Sequence, residues 1–218
     1  TRVRSSAASD VYKRQIFTCI ISTIFVLSVA YSMSRMRFKM RKPFMNIAMI
    51  IGLFPSFMSM IAVYYILRAL NLADGAMIRV ALIIVFSAGS GAGFYVAKGF
   101  FDTISKSLDE AAIIDGATRW NVFTKITVPL SKPIIVYTIL TSFMGPWVDF
   151  IFGKVICRAD AQYYTVSIGL WKMLEKEYID SWYTCFAAGA VVVSIPIAIL
   201  FLMTQKFYVE GMTGAVKG

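Results

Sequence analysis

The sequence predicts an all-α, polytopic membrane protein with five transmembrane helices. Composition is the first reason: 58% of residues are hydrophobic and 16% charged, with a mean hydropathy of +0.70. Soluble globular chains carry about 25% charged residues, so this chain suits an apolar solvent. Spacing is the second reason. Apolar runs at about 16–34, 44–67, 77–97, 133–156 and 184–205 are long enough to cross a bilayer, which takes roughly 20 residues. Charge placement is the third. Arg35, Arg37, Lys39, Arg41 and Lys42 follow the first run, and Lys106, Arg119, Lys125 and Lys132 separate the third from the fourth. Such clusters stay on the cytoplasmic side. The opposite ends carry fewer: Arg68, Arg79, Arg158, Lys172 and Lys176. The net charge of +10 therefore reads as membrane orientation, with the C-terminal tail in the cytoplasm, and not as a nucleic-acid surface.

Several chemistries drop out. The chain has no His, which removes the usual general base and the commonest metal ligand. Cys19, Cys157 and Cys185 have no metal or redox spacing. Cys157 and Cys185 fall near outer helix ends, where a disulfide is conceivable, but free thiols are the expectation. Gly89-Ser90-Gly91-Ala92-Gly93 lacks the following Gly-Lys-Ser/Thr of a phosphate loop. No catalytic residue, metal site or bound cofactor is expected on this chain.

Residues 1–15 are polar, with no apolar period. Arg2, Arg4, Lys13 and Arg14 would lie on the outer side, against the positive-inside tendency. They are set apart as a non-native leader or scar, leaving 16–218 as the transmembrane domain. The second run is interrupted by Gly52 and Pro55, and an outer turn follows at Asn71–Gly75. Its Met45, Met49, Met58 and Met60 read as lipid-facing or packing bulk. Small residues at 89–93 in the third run permit close helix approach or a loosened backbone beside a cavity. The fourth run contains Gly145-Pro146-Trp147 and Asp149. An outer segment, 157–183, carries an amphipathic stretch at Val166–Leu174, and Pro196 should kink the fifth run.

The long polar interruption at 99–132 holds the most specific pattern. From Glu110 to Pro133 it reads EAAIIDGATRWNVFTKITVPLSKP. Ala111, Ala112, Ile113 and Ile114 favour a short helix with an apolar edge. Asp115-Gly116 breaks it, because Gly reaches backbone angles other residues avoid. Trp120, Phe123, Ile126 and Val128 form a second apolar stripe, which Pro129 and Pro133 should end. A helix pair that is apolar on one side and charged on the other suits docking into a protein groove.

The spacing Glu110-Ala111-Ala112, Gly116, Ile126 and Val128-Pro129 resembles the "EAA" loop of ABC importer permeases. Val128 departs from the Leu usual there, a volume-similar change. The resemblance covers 16–218 and implies that Glu110, Ala111, Ala112, Asp115, Gly116, Ile126 and Pro129 form a coupling helix and its turn. That helix would sit in a cleft of a cytoplasmic ATPase subunit. Two further stretches resemble the maltose/maltodextrin-type sugar branch: Gly145 to Phe152, and the ending Gly211 to Gly218. In that branch the tail, here Gly211, Gly214 and Lys217, reaches toward the ATPase pair. The branch commonly has one helix before the shared five. The implied partners are a second permease subunit, two ATPase subunits carrying ATP and Mg, and an extracytoplasmic solute-binding protein. The implied location is the bacterial inner membrane.

Within the spans, Asp149 is an acid in an apolar run, and such acids face protein or a watery cavity. It could bind sugar hydroxyls or cap a kink. Trp147 could stack on a sugar or anchor an interface. Ser90 and Ser142 could line the path or pack helices. The alternatives are an ABC permease for an amino acid or peptide and, in another class, a secondary transporter or channel.

Overall fold

Charge-free stretches of the sequence become helices throughout, and no strand occurs among the described residues. The computed structural model describes residues 2–89, 93–158, 160–175 and 179–215, with side chains in 11–55, 57–88, 93–158, 160–175 and 180–205. The helices are α1 (Arg2–Arg35), α2 (Arg41–Gly52), α3 (Ser56–Ala69), α4 (Met77–Gly89), α5 (Gly93–Thr103) and α6 (Lys106–Ile114). They continue with α7 (Arg119–Val122), α8 (Val128–Leu130), α9 (Lys132–Val148), α10 (Ile151–Cys157), α11 (Val166–Lys172) and α12 (Ile179–Ala215).

Two stretches, Val11–Arg35 and Asp180–Gln205, are long and apolar enough to span alone. Three bent pairs bring the number to five by length and composition: α2 with α3, α4 with α5, and Arg119–Leu130 with α9. The first pair bends by 108° around Gly52 to Pro55, where Pro55 removes a donor and fixes its own φ.

α1 is the spine. It packs against α4, α5 and α9, and α9 carries α12 on another side. Near the polar loop its Val26, Ala30 and Met33 are buried with Phe94, Ala97, Phe101 and Ile134. Ala30 and Ala97 are fully buried, and such small residues let helix backbones approach closely. A second cluster sits at the far end, where Leu67, Ile78, Leu82, Ile156 and Tyr163 close the α3–α4 and α10 regions together. Much of the remaining apolar surface is open. Met49 and Met58 are exposed, Met60 is buried, and α12 exposes Val191, Ile195, Ile199 and Leu202. A bilayer or a second subunit has to cover that surface.

Four expected boundaries need correction. The break between a leader and a first span at 15/16 is absent, since α1 runs unbroken from Arg2. Gln15 is buried and donates to the Phe143 carbonyl at 2.5 Å, and Arg14 Nη1 donates to the Tyr163 carbonyl at 2.8 Å. These two polar side chains reach carbonyls of other segments, so the lack of an apolar period did not mark a helix end. The fourth span does not continue as one helix to 156. It stops at Val148, and α10 starts afresh at Ile151. Pro129 and Pro133 do not end the second loop helix. Pro129 lies inside it and Pro133 lies in the first turn of α9, where its missing N–H costs nothing. The break falls at Ser131, with an 81° bend. The polar loop itself begins later than 99, because α5 continues to Thr103.

The outer region is tightly stitched. Thr165 Oγ1 donates to the Asp149 carbonyl (3.0 Å) and Ser167 Oγ to the Trp147 carbonyl (3.1 Å). Gly153 is where α10 meets this seam: a Cβ there would come within 2.8 Å of Thr165 Cγ2 and 3.1 Å of Ile168 Cδ1. At Gly189 an added Cβ meets only the end of a flexible side chain, Leu170 Cδ2 at 2.9 Å. Thr165 is β-branched and hydrogen-bonded, so it cannot turn away. Gly153→Ala should therefore destabilise the protein by about 1–3 kcal/mol and Gly189→Ala by much less. Thermal unfolding of the two variants in detergent checks this ordering.

Candidate functional site

The polar loop folds as helix, turn, helix, from local capping signals. Ser105 opens α6, its hydroxyl oxygen accepting from Ser107 N at 3.3 Å. Asp109 lies in the first turn, where a negative charge offsets the helix dipole. At the other end Gly116 N donates to the Ile113 carbonyl (3.0 Å) and Ala117 N to the Ala112 carbonyl (2.9 Å). Gly116 has φ of +83°, the left-handed angle that closes a helix and that glycine adopts without penalty. Thr118 then caps α7 by accepting from Asn121 N at 3.2 Å.

α7 and α8 form one helical stretch through a wider π turn at Phe123–Thr127. Ile126 lies in it, half-buried. Pro129 follows immediately; its ring would crowd a regular preceding turn, and the wider turn relieves that contact. Val122 and Thr127 face inward, buried.

α6 is not a free loop. Arg35, at the last turn of α1, donates from Nη2 to the Ile104 carbonyl at 2.9 Å. Its Nε lies 3.4 Å from Asp109 Oδ2, with side chains only 4% and 16% exposed. On the residue just before it, Ser34 Oγ donates to Asp102 Oδ1 at 2.6 Å, and Lys98 holds Asp102 from its other oxygen. The Tyr31 ring wedges between Phe123 (4.6 Å) and Phe101 (6.3 Å). The end of α1 thus grips both loop helices. Arg35, Asp109 and Asp102 were missed in the sequence because charges beside a span read as topology signals. A pairing across 74 positions leaves no local trace.

The opposite side of the loop is uncovered. Glu110 and Ala111 are exposed, Ala112 is half-buried, and Asp115 stands at the turn. Ile114 is 85% and Trp120 70% exposed. Large apolar side chains open at the tip of a polar loop mark a docking surface.

The second group of expected site residues divides. Asp149 sits in extended backbone at the break, and its Oδ2 accepts from Gly153 N at 2.8 Å, capping α10. It also borders a cleft of about 410 Å³ with Thr141, Gly145, Pro146, Val85 and Phe152. Trp147 is elsewhere: it is 2% exposed, donates to the Val193 carbonyl at 3.1 Å and stacks on Phe143. In this chain it is neither at a surface nor in the cleft wall. Ser142 is buried on α9. Ser90 and Lys217 lie outside the described residues, while Gly211 and Gly214 fall in the last turns of α12. Cys157 is buried, Cys185 exposed, and both are free.

The chain is thus a helical bundle with the length and polarity of membrane spans, carrying on one loop a short helix held against α1 by a buried ion pair. The match to the family described as "binding-protein-dependent transport system inner membrane component" covers residues 22–212, and the chain belongs to that family. It is 36% identical over 208 residues to the galactooligosaccharides transport system permease protein GanQ of Bacillus subtilis, covering 94% of this chain and 72% of that one. It is 33% identical over 210 residues to the maltose/maltodextrin transport system permease protein MalG of Vibrio vulnificus, covering 92% and 68%. In fold it resembles a chain of a bacterial ABC transporter involved in import of the acidic polysaccharide alginate, with a TM-score of 0.77 over 95% of this chain and 76% of that one at 24% identity. The family and the all-α membrane fold expected from the loop spacing are thereby established.

Removing one partner of the buried pair should be costly. Asp109→Ala leaves Arg35 charged and unpaired, an expected loss of about 3–5 kcal/mol. Asp109→Ala should therefore lower the unfolding temperature, and Arg35→Met in the same chain should restore part of it, because the stranded charge is then gone. A double-mutant cycle on unfolding in detergent measures this coupling.

Proposed function

We propose that this chain is a permease subunit of an ATP-driven importer for a sugar, of the oligosaccharide class named in its relatives. The observation that carries the reading is the exposed face of α6 held against α1 by Arg35 and Asp109. A second permease subunit completes the pathway, two ATPase subunits bind ATP and Mg, and an extracytoplasmic binding protein delivers the solute. The polar loop and the C-terminus face the cytoplasm, which the basic residues around α2 and α6 favour. Ile113, Ile114 and Trp120 enter the ATPase cleft, with Glu110 at its edge.

The chain does no covalent chemistry in this scheme. Closure of the ATPase pair displaces α6, and the buried ion pair passes that motion to α1. Because α1 packs on α4, α5 and α9, these helices move as one body and switch the cavity between its two sides. The cleft beside Asp149 lies at the far end of that body, where the Asp149 carboxylate and the Thr141 hydroxyl oxygen offer acceptors to sugar hydroxyls, the Thr141 hydrogen being donated to the Tyr137 carbonyl.

Two sets of variants test the scheme in the co-expressed complex. Glu110→Lys and Gly116→Val should insert and assemble normally. Gly116→Val adds strain of about 1–3 kcal/mol at a positive φ, with no steric clash to complicate it. Both should lose ATPase retention or binding-protein-stimulated ATP hydrolysis. Wild-type transport and hydrolysis in both would remove α6 from the coupling role. Asp149→Asn keeps an acceptor for Gly153 N, so folding should hold while sugar transport falls. Unchanged transport would leave Asp149 a helix cap alone.

A further inference from the structure

A pocket of about 170 Å³ opens at the loop end between α1, α2, α6 and α7. Arg35, Arg37, Arg41, Lys106 and Arg119 line it. Only two acids, Asp109 and Glu110, share the wall, and Asp109 is already paired with Arg35. Among the described residues the other four cations make no ion pair.

Arg35 forms the buried part of the wall. Its side chain is 4% exposed, yet Nε and Nη1 have no hydrogen-bond partner. Nε lies near Asp109, but not in line for a hydrogen bond. Buried donors without acceptors are costly, most of all on a charged group. Asp109 Oδ1, in the same wall, is likewise without a partner, so Arg35 and Asp109 match in charge, and the excess positive charge of the wall lies on Arg37, Arg41, Lys106 and Arg119 against Glu110 alone. Guanidinium forks match the oxygens of a tetrahedral anion, and a cluster of them raises local anion concentration. The location bears on the source: α1 has the length and apolarity of a span and ends at Arg35, so the pocket stands at the end of that apolar stretch, between it and the polar loop. Basic pockets at that level of the cytoplasmic leaflet collect anionic headgroups.

We propose that this pocket holds a phosphate group, presented by an anionic phospholipid headgroup or by free inorganic phosphate. The site does not depend on which solute is carried, but Glu110 and Ile113 share its wall, so on the proposed coupling role it borders the ATPase contact. A bound phosphate would bridge α1, α2 and α7 and stiffen the seat of α6.

The test uses the whole co-purified complex in nanodiscs of phosphatidylcholine alone, with phosphatidylglycerol added, or with inorganic phosphate in the buffer. Unfolding temperature is followed, together with lipid retained in native mass spectra. Arg37 and Arg41 stand at the open side, so Arg37→Gln/Arg41→Gln keeps the fold even if Arg35→Gln does not. The expected result is a rise in unfolding temperature in one arm that the double variant abolishes. A rise with phosphatidylglycerol, and loss of one retained lipid per chain in the variant, assigns the headgroup; a rise with phosphate assigns the free anion. No rise in either arm, or a rise that the double variant retains, overturns the proposal. So does a variant that sheds the ATPase subunits while its lipid and phosphate responses stay unchanged, because the pocket is then a protein-docking site.

Discussion

The ion pair between Arg35 and Asp109 fixes where the polar loop stands relative to the membrane bundle. Without it, α6 would hang from α5 by the short turn at Ile104 and Ser105 and from α7 by the turn at Gly116. Either turn alone allows rotation. A buried charge pair does not, because separating it exposes two desolvated ions to an apolar surround. Its contribution to net stability is small by that same argument, since desolvation offsets the attraction. Its effect is on register: it admits one orientation of α6, with Asp109 inward and Glu110, Ala111 and Ile114 outward. The aromatic wedge of Tyr31 on Phe123 sets the second loop helix from the same turn of α1.

α1 is anchored at its other end by the same kind of device. Arg14 and Gln15 donate to carbonyls of Tyr163 and Phe143, which belong to the outer segment and to α9. Polar side chains that would be costly in hydrocarbon are satisfied by backbone oxygens that helix breaks leave open. Asp149 does the equivalent job from within the break, capping α10 while its carbonyl takes the Thr165 hydroxyl. The break between α9 and α10 thus carries hydrogen bonds on the Trp147, Asp149 and Phe150 carbonyls and on Gly153 N, which helps an interrupted helix persist.

What could be read in advance follows from how local each signal is. The five apolar runs, the Asn71–Gly75 turn and the Asp115-Gly116 break were legible, because hydropathy and turn chemistry act over a few residues. Asn71 and Gly75 do take positive φ, as does Gly116. The loop spacing identified the family because it fixes two helix lengths and one turn together. Pro129 misled, since its penalty was absorbed by a π turn that no composition announces. The contacts of Arg14 and Gln15 were not legible, because a polar stretch looks the same whether it faces water or a carbonyl. For Asp149 the structure shows the capping role, through Oδ2 and Gly153 N, and places the residue in the wall of the cleft.

These anchors make α1 a rod held at both ends. From Arg14 to Arg35 it is about 30 Å long at ~1.5 Å per residue, enough to cross the hydrocarbon. One end holds α6 by a buried charge pair, and the other is tied by hydrogen bonds to α9 at Phe143 and to the outer segment at Tyr163. A straight helix transmits a displacement along its length with little loss, because its backbone bonds are all internal and its packed faces are close to incompressible. On the proposed coupling role, a push on α6 would reach the region of Asp149 through α1 without any contact between the two. What such a rod requires is a fixed spacing between its two anchors, and neither anchor needs to carry much energy so long as both hold.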